Sequence, residues 1–160
     1  MTKKELAYIA GFLDGDGCVM LQLIFRHDYP LGYQIRASIV FYQKTMKKDF
    51  LLWLKSKLKD GYIRERNDEM SEYTIVGFDR VERILKLLLP FLRLKKPQAK
   101  LTLEVIKEIP KKKRGMYTAK LLLKLAKKID KFKQLNYSKK RKITSVQVEK
   151  FLKSRKLLSP

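Results

Sequence analysis

Cysteine is nearly absent from this 160-residue chain: Cys18 stands alone. No internal disulfide can form, and a reducing compartment is expected. Acids are scarce as well, with 16 Asp and Glu against 38 Lys and Arg and a net charge of +22. That excess goes beyond what solubility needs and points to a polyanion as partner. A lysine-rich solvated surface is the plainer alternative. Long hydrophobic runs are missing. The longest, residues 85–92, contains Lys86 and Pro90, so no membrane partner is expected. Residues 1–5 lack the apolar run that follows the start of a secretory signal. The expected location is intracellular, in the cytoplasm or nucleoid of a prokaryote or in an organelle. The one histidine, His27, sits beside Asp28 in a turn with no cluster around it, and reads as a loop residue.

What is present suits one domain over residues 1–160, with hydrophobic residues at 45% and aromatics at 11%. Charge divides it. Residues 111–160 hold 18 Lys and Arg and only Asp130 and Glu149 as acids, a net of +16 that leaves +6 for the first 110. A core of about residues 4–110 is expected to discriminate, and a basic helical part of about 111–160 to grip.

Hydrophobic spacing gives the element order. Leu6, Ile9, Ala10 and Leu13 recur with helical period over 4–15, where Gly15, Asp16 and Gly17 are expected to stop the helix. The period then changes to two over 18–26 and again over 33–43, around a turn cluster at 27–32, which makes a hairpin. A helix over 46–59 and a second hairpin, 62–66 with 72–76, follow. Further helices are expected over 79–92 with Asp79 as N-cap, 98–109, 117–134 and 144–153, and Trp53 is expected in the core or at its edge. The fold class is α+β: an antiparallel sheet with helices over one face. No whole-unit repeat is visible.

One face of those strands is apolar. The other carries Met20, Gln22, Ile24, Arg26, Gln34, Arg36, Ser38, Val40, Tyr42, Tyr62, Arg64, Arg66, Glu72 and Thr74. Arg pairs bidentately with guanine and Gln with adenine, and Ser or Thr bonds to several bases. A solvated sheet face would be richer in Lys and Glu, so the pattern favours double-stranded DNA read in the major groove.

The segment Ile9-Ala10-Gly11-Phe12-Leu13-Asp14-Gly15-Asp16-Gly17 is physically odd. Ala10, Gly11 and Gly15 leave helix surface without side chains, at roughly 1 kcal/mol of helix stability per glycine relative to Ala. Close approach of a second helix would justify that cost. Asp14 and Asp16 stand where the helix dipole is negative, which calls for a positive partner. A divalent cation held by oxygen ligands meets the need, and so does a simple turn after a helix.

Residues 7–17 resemble the signature of LAGLIDADG homing endonucleases. So does the helix–hairpin–helix–hairpin–helix order. The segments 41–45, 61–64, 90–95 and 136–145 are similar to single-motif members. The resemblance implies a homodimer in which the signature helices pack together, with Ala10, Gly11, Leu13 and Asp14 at the dimer interface, and a long near-palindromic target. It implies Mg²⁺ as cofactor, with Mn²⁺ or Ca²⁺ as substitutes in binding, held by Asp16 and the Gly15 carbonyl. Asp14 matches a capping or structural position. Gln43 matches a water-positioning residue, Lys47 and Lys95 match basic residues at the site, and Lys139 and Lys142 match phosphate contacts. The expected activity is staggered cleavage of both strands across the minor groove. Two rivals use the same fold: a DNA-binding regulator without cleavage, and a maturase that binds intron RNA.

Overall fold

Thr2 and Glu5 start the first helix reciprocally. Glu5 N donates to Thr2 Oγ1 at 3.2 Å, and Thr2 N donates to the Glu5 carboxylate at 2.9 Å. The computed structural model describes residues 1–111, 117–136 and 143–158. In it α1 spans Lys3–Asp16 and buries Ile9, Ala10 and Leu13. Gly15 therefore lies inside the helix, and the exit falls at Gly17, in extended conformation. Gly17 is sterically required there, since an added Cβ would lie 2.5 Å from Leu13 Cδ1 and 2.9 Å from its Cα.

Strands β1 (Gly17–Phe25) and β2 (Tyr33–Lys44) follow, then a 3-10 turn at Thr45–Lys47, α2 (Lys48–Leu58), β3 (Tyr62–Glu65) and β4 (Met70–Val76). The four strands form one sheet in the order β1-β2-β4-β3. Antiparallel register sets Phe41 opposite Tyr73 and Ile39 opposite Ile75. One residue along, Tyr42 faces Glu72, Val40 faces Thr74, and on β3 Arg64 faces Glu72 and Tyr62 faces Thr74. Opposed residues share a face, so the period of two separates the two faces of the sheet.

After the sheet come α3 (Phe78–Leu88), α4 (Lys96–Glu108), α5 (Ala119–Ile129), α6 (Phe132–Leu135) and α7 (Ser145–Ser154). Several expected boundaries change, and α3 ends at Leu88 rather than at 92. Gly77, at φ 109°, caps α3, and Asp79 stands in the first turn, where an acid complements the dipole. Helix α4 begins at Lys96 and takes Pro97 into its first turn, where a missing N–H costs nothing. The helix expected over 117–134 breaks at Asp130, whose carboxylate accepts from Ser145 N at 3.1 and 3.2 Å at the start of α7.

The chain forms two compact units. One is Met1–Met20 with Ala37–Leu103; the other is Leu21–Arg36 with Glu104–Pro160. In the first, α1 packs on α3, and α2 and α3 pack on β4. Val81, Ile84, Leu85 and Leu88 of α3 are fully buried, each worth about 1.5–3 kcal/mol. In the second, α5 packs on α7 through Leu122, Leu125, Ala126, Val148 and Leu152. Among the described residues, no helix is long and apolar enough to cross a membrane.

Candidate active site and nucleic-acid interface

The end of α1 separates its two acids. Asp14 is half-buried and engaged: Oδ2 accepts from Arg93 N at 2.7 Å and Oδ1 from Lys95 N at 2.8 Å. The Lys95 ammonium donates to the Asp14 carbonyl. The partner that Asp14 requires at the helix terminus is thus supplied by the chain itself, through Lys95 and two backbone amides, and Asp16 is not served by them. Asp16 is exposed and makes no hydrogen bond or ion pair among the described residues. Gly15 precedes it near the last turn, where a helix carbonyl has no donor four residues on.

Gln43 lies opposite Ser71 on the core side of β2, and its Oε1 accepts from Lys44 N at 2.9 Å. Lys47 is exposed just ahead of α2. Among the described residues, no hydrogen bond links Asp16, Gln43, Lys47 and Lys95 to one another; the one tie among the candidates joins Lys95 to Asp14. Cys18, at the start of β1, has its thiol pushed up by burial, with Lys95 opposing. The Tyr42 hydroxyl is pushed up mainly by burial, then by Cys18 and Glu72, against Arg66.

On the polar face of β3 and β4, Glu72 anchors two guanidinium groups. It lies 3.0 Å from Arg64 and 4.0 Å from Arg66, and Arg66 also pairs with Asp68 at 2.7 Å. Exposed pairs of this kind add little stability. They fix where a guanidinium fork points, which is what base recognition needs. Tyr62 is exposed beside them, and Met20 and Tyr42 are half-buried. Ser38, Val40 and Thr74 correct the expectation, since they are only 3%, 4% and 5% exposed. They are short side chains in the middle of the sheet, with larger neighbours around them, and offer almost no surface to a base.

In the other unit, Gln22 and Arg26 are exposed and Ile24, Gln34 and Arg36 half-buried. Arg26 pairs with Asp28 at 3.2 Å in the hairpin turn. Arg36 keeps a buried Nε without a partner among the described residues. Lys139 and Lys142 lie outside the described residues.

The expected interface residues need a second correction. Ala10 and Leu13 are 0% exposed, buried within their own chain. The open side of α1 is instead Ala7, Gly11 and Gly15, at four-residue spacing, and a Cβ built on either glycine meets nothing within 4 Å. Sequence reading also passed over a cluster beside it. Tyr8, Phe50 and Trp53 lie with ring centroids 5.5–6.0 Å apart, and Tyr8 is 58% exposed. Trp53 is half-buried and stands at the edge of the core, the second of its two expected places.

A family model described as LAGLIDADG endonuclease matches residues 9–100. The DNA endonuclease I-CvuI of Chlorella vulgaris is 40% identical over 149 residues, 93% of this chain and 90% of the relative. The DNA endonuclease I-CreI of Chlamydomonas reinhardtii is 34% identical over 153 residues, 96% of this chain and 91% of that relative. The crystal structure of I-CvuI in complex with its target, in the presence of 2 mM Ca, matches with a TM-score of 0.88 over 94% of each chain. The archaeal intron-encoded homing endonuclease I-Vdi141I, at 19% identity and a TM-score of 0.83, shares the fold.

Proposed function

Since the chain belongs to the LAGLIDADG endonuclease family, we propose that it is a site-specific homing endonuclease that cuts both strands of a long, near-palindromic DNA target as a homodimer. The observation that carries this reading is Asp16: an exposed carboxylate at a helix C-terminus, uncommitted among the described residues, on a chain of net charge +22. Such an acid is unfavourable both against the dipole and against DNA phosphates unless a cation joins it.

The donor set fits a hard cation. Asp16 and the Gly15 carbonyl offer oxygen only, which suits Mg²⁺, with Mn²⁺ or Ca²⁺ as substitutes in binding. The described residues contain no group of three His, Cys, Asp or Glu that could hold a metal ion. Phosphate, water and the Asp16 of a second subunit would complete the ligand set. When bound, the cation polarises the phosphate and lowers the pKa of water.

The chain's own residues do the rest. Asp14 fixes the 93–95 segment against α1 and so orients Lys95. Lys95 and Lys47 add positive charge where the transition state gathers negative charge. Lysine at 47 acts as a point charge without a bidentate fork. Gln43, at the end of β2, positions water through its amide. Arg64 and Arg66 select bases, and Lys139 and Lys142 hold phosphates. DNA as substrate and a single thiol both suit a reducing, DNA-containing compartment.

The test is a cleavage assay on a randomised duplex library, with Mg²⁺ and with EDTA, reading cut ends by sequencing. Cuts at one near-palindromic site that depend on Mg²⁺ are expected. Enrichment of one site without cuts would replace the enzyme by a DNA-binding regulator. Affinity for intron RNA with no DNA nicking would point to a maturase.

A further inference from the structure

A two-stranded hairpin is marginally stable alone and needs a third strand or a helix against it. Strand β4 partners β2 only over residues 38–44. Beyond Ser38 the sheet continues as β1 and β2 alone among the described residues, and this ribbon carries Gln22, Arg26 and Gln34. A recognition side chain needs its backbone held to roughly 0.5 Å. Something other than the sheet must fix the ribbon's tip.

Helix α7 does so through one ring. Its Val148 and Leu152 are fully buried, and Phe151 beside them is half-buried. The Phe151 ring meets Phe25 edge-on at 5.8 Å and Tyr33 at 5.7 Å. Those two, one on each strand, meet each other at 5.2 Å, and Phe25 carries His27 edge-on at 4.8 Å. The Arg155 guanidinium lies 5.6 Å from the centre of the Phe151 ring and adds a cation–π contact that holds it. The turn closes against the same ring. Gly32 is buried at φ 69°, and a Cβ added there would overlap Phe151. The Gly32 carbonyl accepts from Arg26 N at 2.8 Å, and Gly32 N donates to the Tyr29 carbonyl at 2.9 Å. Phe151 thus presses on the residue that closes the turn behind Arg26. Leu21–Arg36 accordingly form one compact unit with Glu104–Pro160.

We propose that Phe151 is a positioning residue for base recognition: by clamping the tip of the β1–β2 hairpin to α7, it sets where Arg26 presents its guanidinium to DNA. The proposal rests on the base-reading role of the sheet and deepens it. Arg26 is exposed and pairs with Asp28 at 3.2 Å, so its fork is fixed relative to the turn. Phe151 fixes the turn relative to α7. Without the ring the fork keeps its local geometry, but the platform beneath it moves. The loss falls on discrimination at the base pairs read from the tip. Overall affinity, which diffuse positive charge supplies, changes little.

The experiment measures relative affinities across a randomised duplex library for the wild-type chain, Arg26→Ala, Arg64→Ala, Phe151→Ala, Phe151→Leu and Leu152→Val, with amide hydrogen exchange on the free proteins. Arg26→Ala marks the base pairs read from the tip. Phe151→Ala should lower discrimination at those pairs roughly 5- to 10-fold and leave the pairs marked by Arg64→Ala unchanged. Exchange at the Arg26 and Gly32 amides should rise with it. Phe151→Leu, which keeps apolar bulk, should show a smaller change of the same pattern, and it carries the test if the alanine variant does not fold. Leu152→Val trims the buried side of the same helix. It should lower the unfolding midpoint and keep the wild-type profile. An unchanged profile in both Phe151 variants, a uniform loss at every base pair, or the same relaxation in Leu152→Val would overturn the proposal. An Arg26→Ala profile with no change at particular base pairs would instead overturn base reading by the hairpin itself.

Discussion

The two units carry charge in opposite ways. In the unit formed by Met1–Met20 and Ala37–Leu103, charged groups near the site have named partners: Asp14 with the 93–95 segment, Lys95 with the end of α1, Arg64 and Arg66 with Glu72. Asp16 is left uncommitted among the described residues. In the unit formed by Leu21–Arg36 and Glu104–Pro160, positive charge is abundant and loosely held. Lys120, Lys127, Lys131, Lys133 and Lys150 are exposed, with no ion pair among the described residues. A placed charge has a direction and can discriminate or react. A loose one contributes only to the field, which draws a polyanion of any sequence. Removing a placed charge should therefore give a large, local effect, and removing a loose one a small, uniform effect.

The sharpest break in that pattern is Asp16→Asn. It should lower cleavage by at least about 10²–10³-fold, while gel-shift affinity for the target stays within a few-fold. Retained cleavage would remove Asp16 from the mechanism. The neighbouring acid should behave differently. Asp14→Ala strips two backbone amides and a lysine-bearing segment of their acceptor, and should cost roughly 1.5–3 kcal/mol of stability in a urea titration. An Asp14 variant of wild-type stability that still fails to cut would move Asp14 from the scaffold into the chemistry.

The difference between those two acids shows how far the sequence could be read. Both carboxylates, and the dipole that disfavours them, are visible in a nine-residue segment. That Lys95 and the amides of 93–95 answer one of them is not, because the contact spans 79 to 81 residues. The strands were legible because a period of two has only two faces. Which members of the polar face stay accessible was not, since the burial of Ser38, Val40 and Thr74 depends on neighbours set by register. Ala10 and Leu13 fail for a related reason: a helix has several sides, and the signature does not say which of them its own core takes. The break at Asp130 follows a hydrogen bond to Ser145 that no local propensity encodes.

On the reading face, Arg64→Ala should cost about 1–3 kcal/mol at particular base pairs and relax preference there. Glu72→Gln should blur the same positions by freeing the fork it anchors. A uniform loss for every sequence would class Arg64 as a phosphate contact. Lys127→Ala, by contrast, should weaken binding evenly across sequences and reduce the slope of log affinity against log salt by about 1 if it meets a phosphate. Sequence-dependent losses at Lys127 would undo the contrast between the units.

The second unit also holds placed charge, Arg26 on Asp28, Lys153 on Glu149 and a network around Glu108, and the last should give the smallest effect. Glu108 lies 2.8 Å from Lys124 and 2.5 Å from Lys128, and Lys128 also meets Glu104. The hydrogen bond from Lys124, then that from Lys128, holds the Glu108 carboxyl below its ordinary value. Its contribution is present above the unfolded pKa and is lost as pH falls through the lower folded one. Lys128 is raised, by its hydrogen bonds to Glu104 and then Glu108. Its contribution is present below the ordinary lysine range and fades as pH rises through the higher folded value. The network should thus be at full strength across neutral pH and weaken toward both acid and alkali. Because Lys124 and Glu104 are exposed and Glu108 and Lys128 remain in reach of solvent, the gain is small and falls with salt. Unfolding midpoints of wild type and Glu108→Gln, taken against pH at low and high salt, should differ slightly at neutral pH and converge in acid. Curves that stay parallel into acid would mean that Glu108 acts through packing.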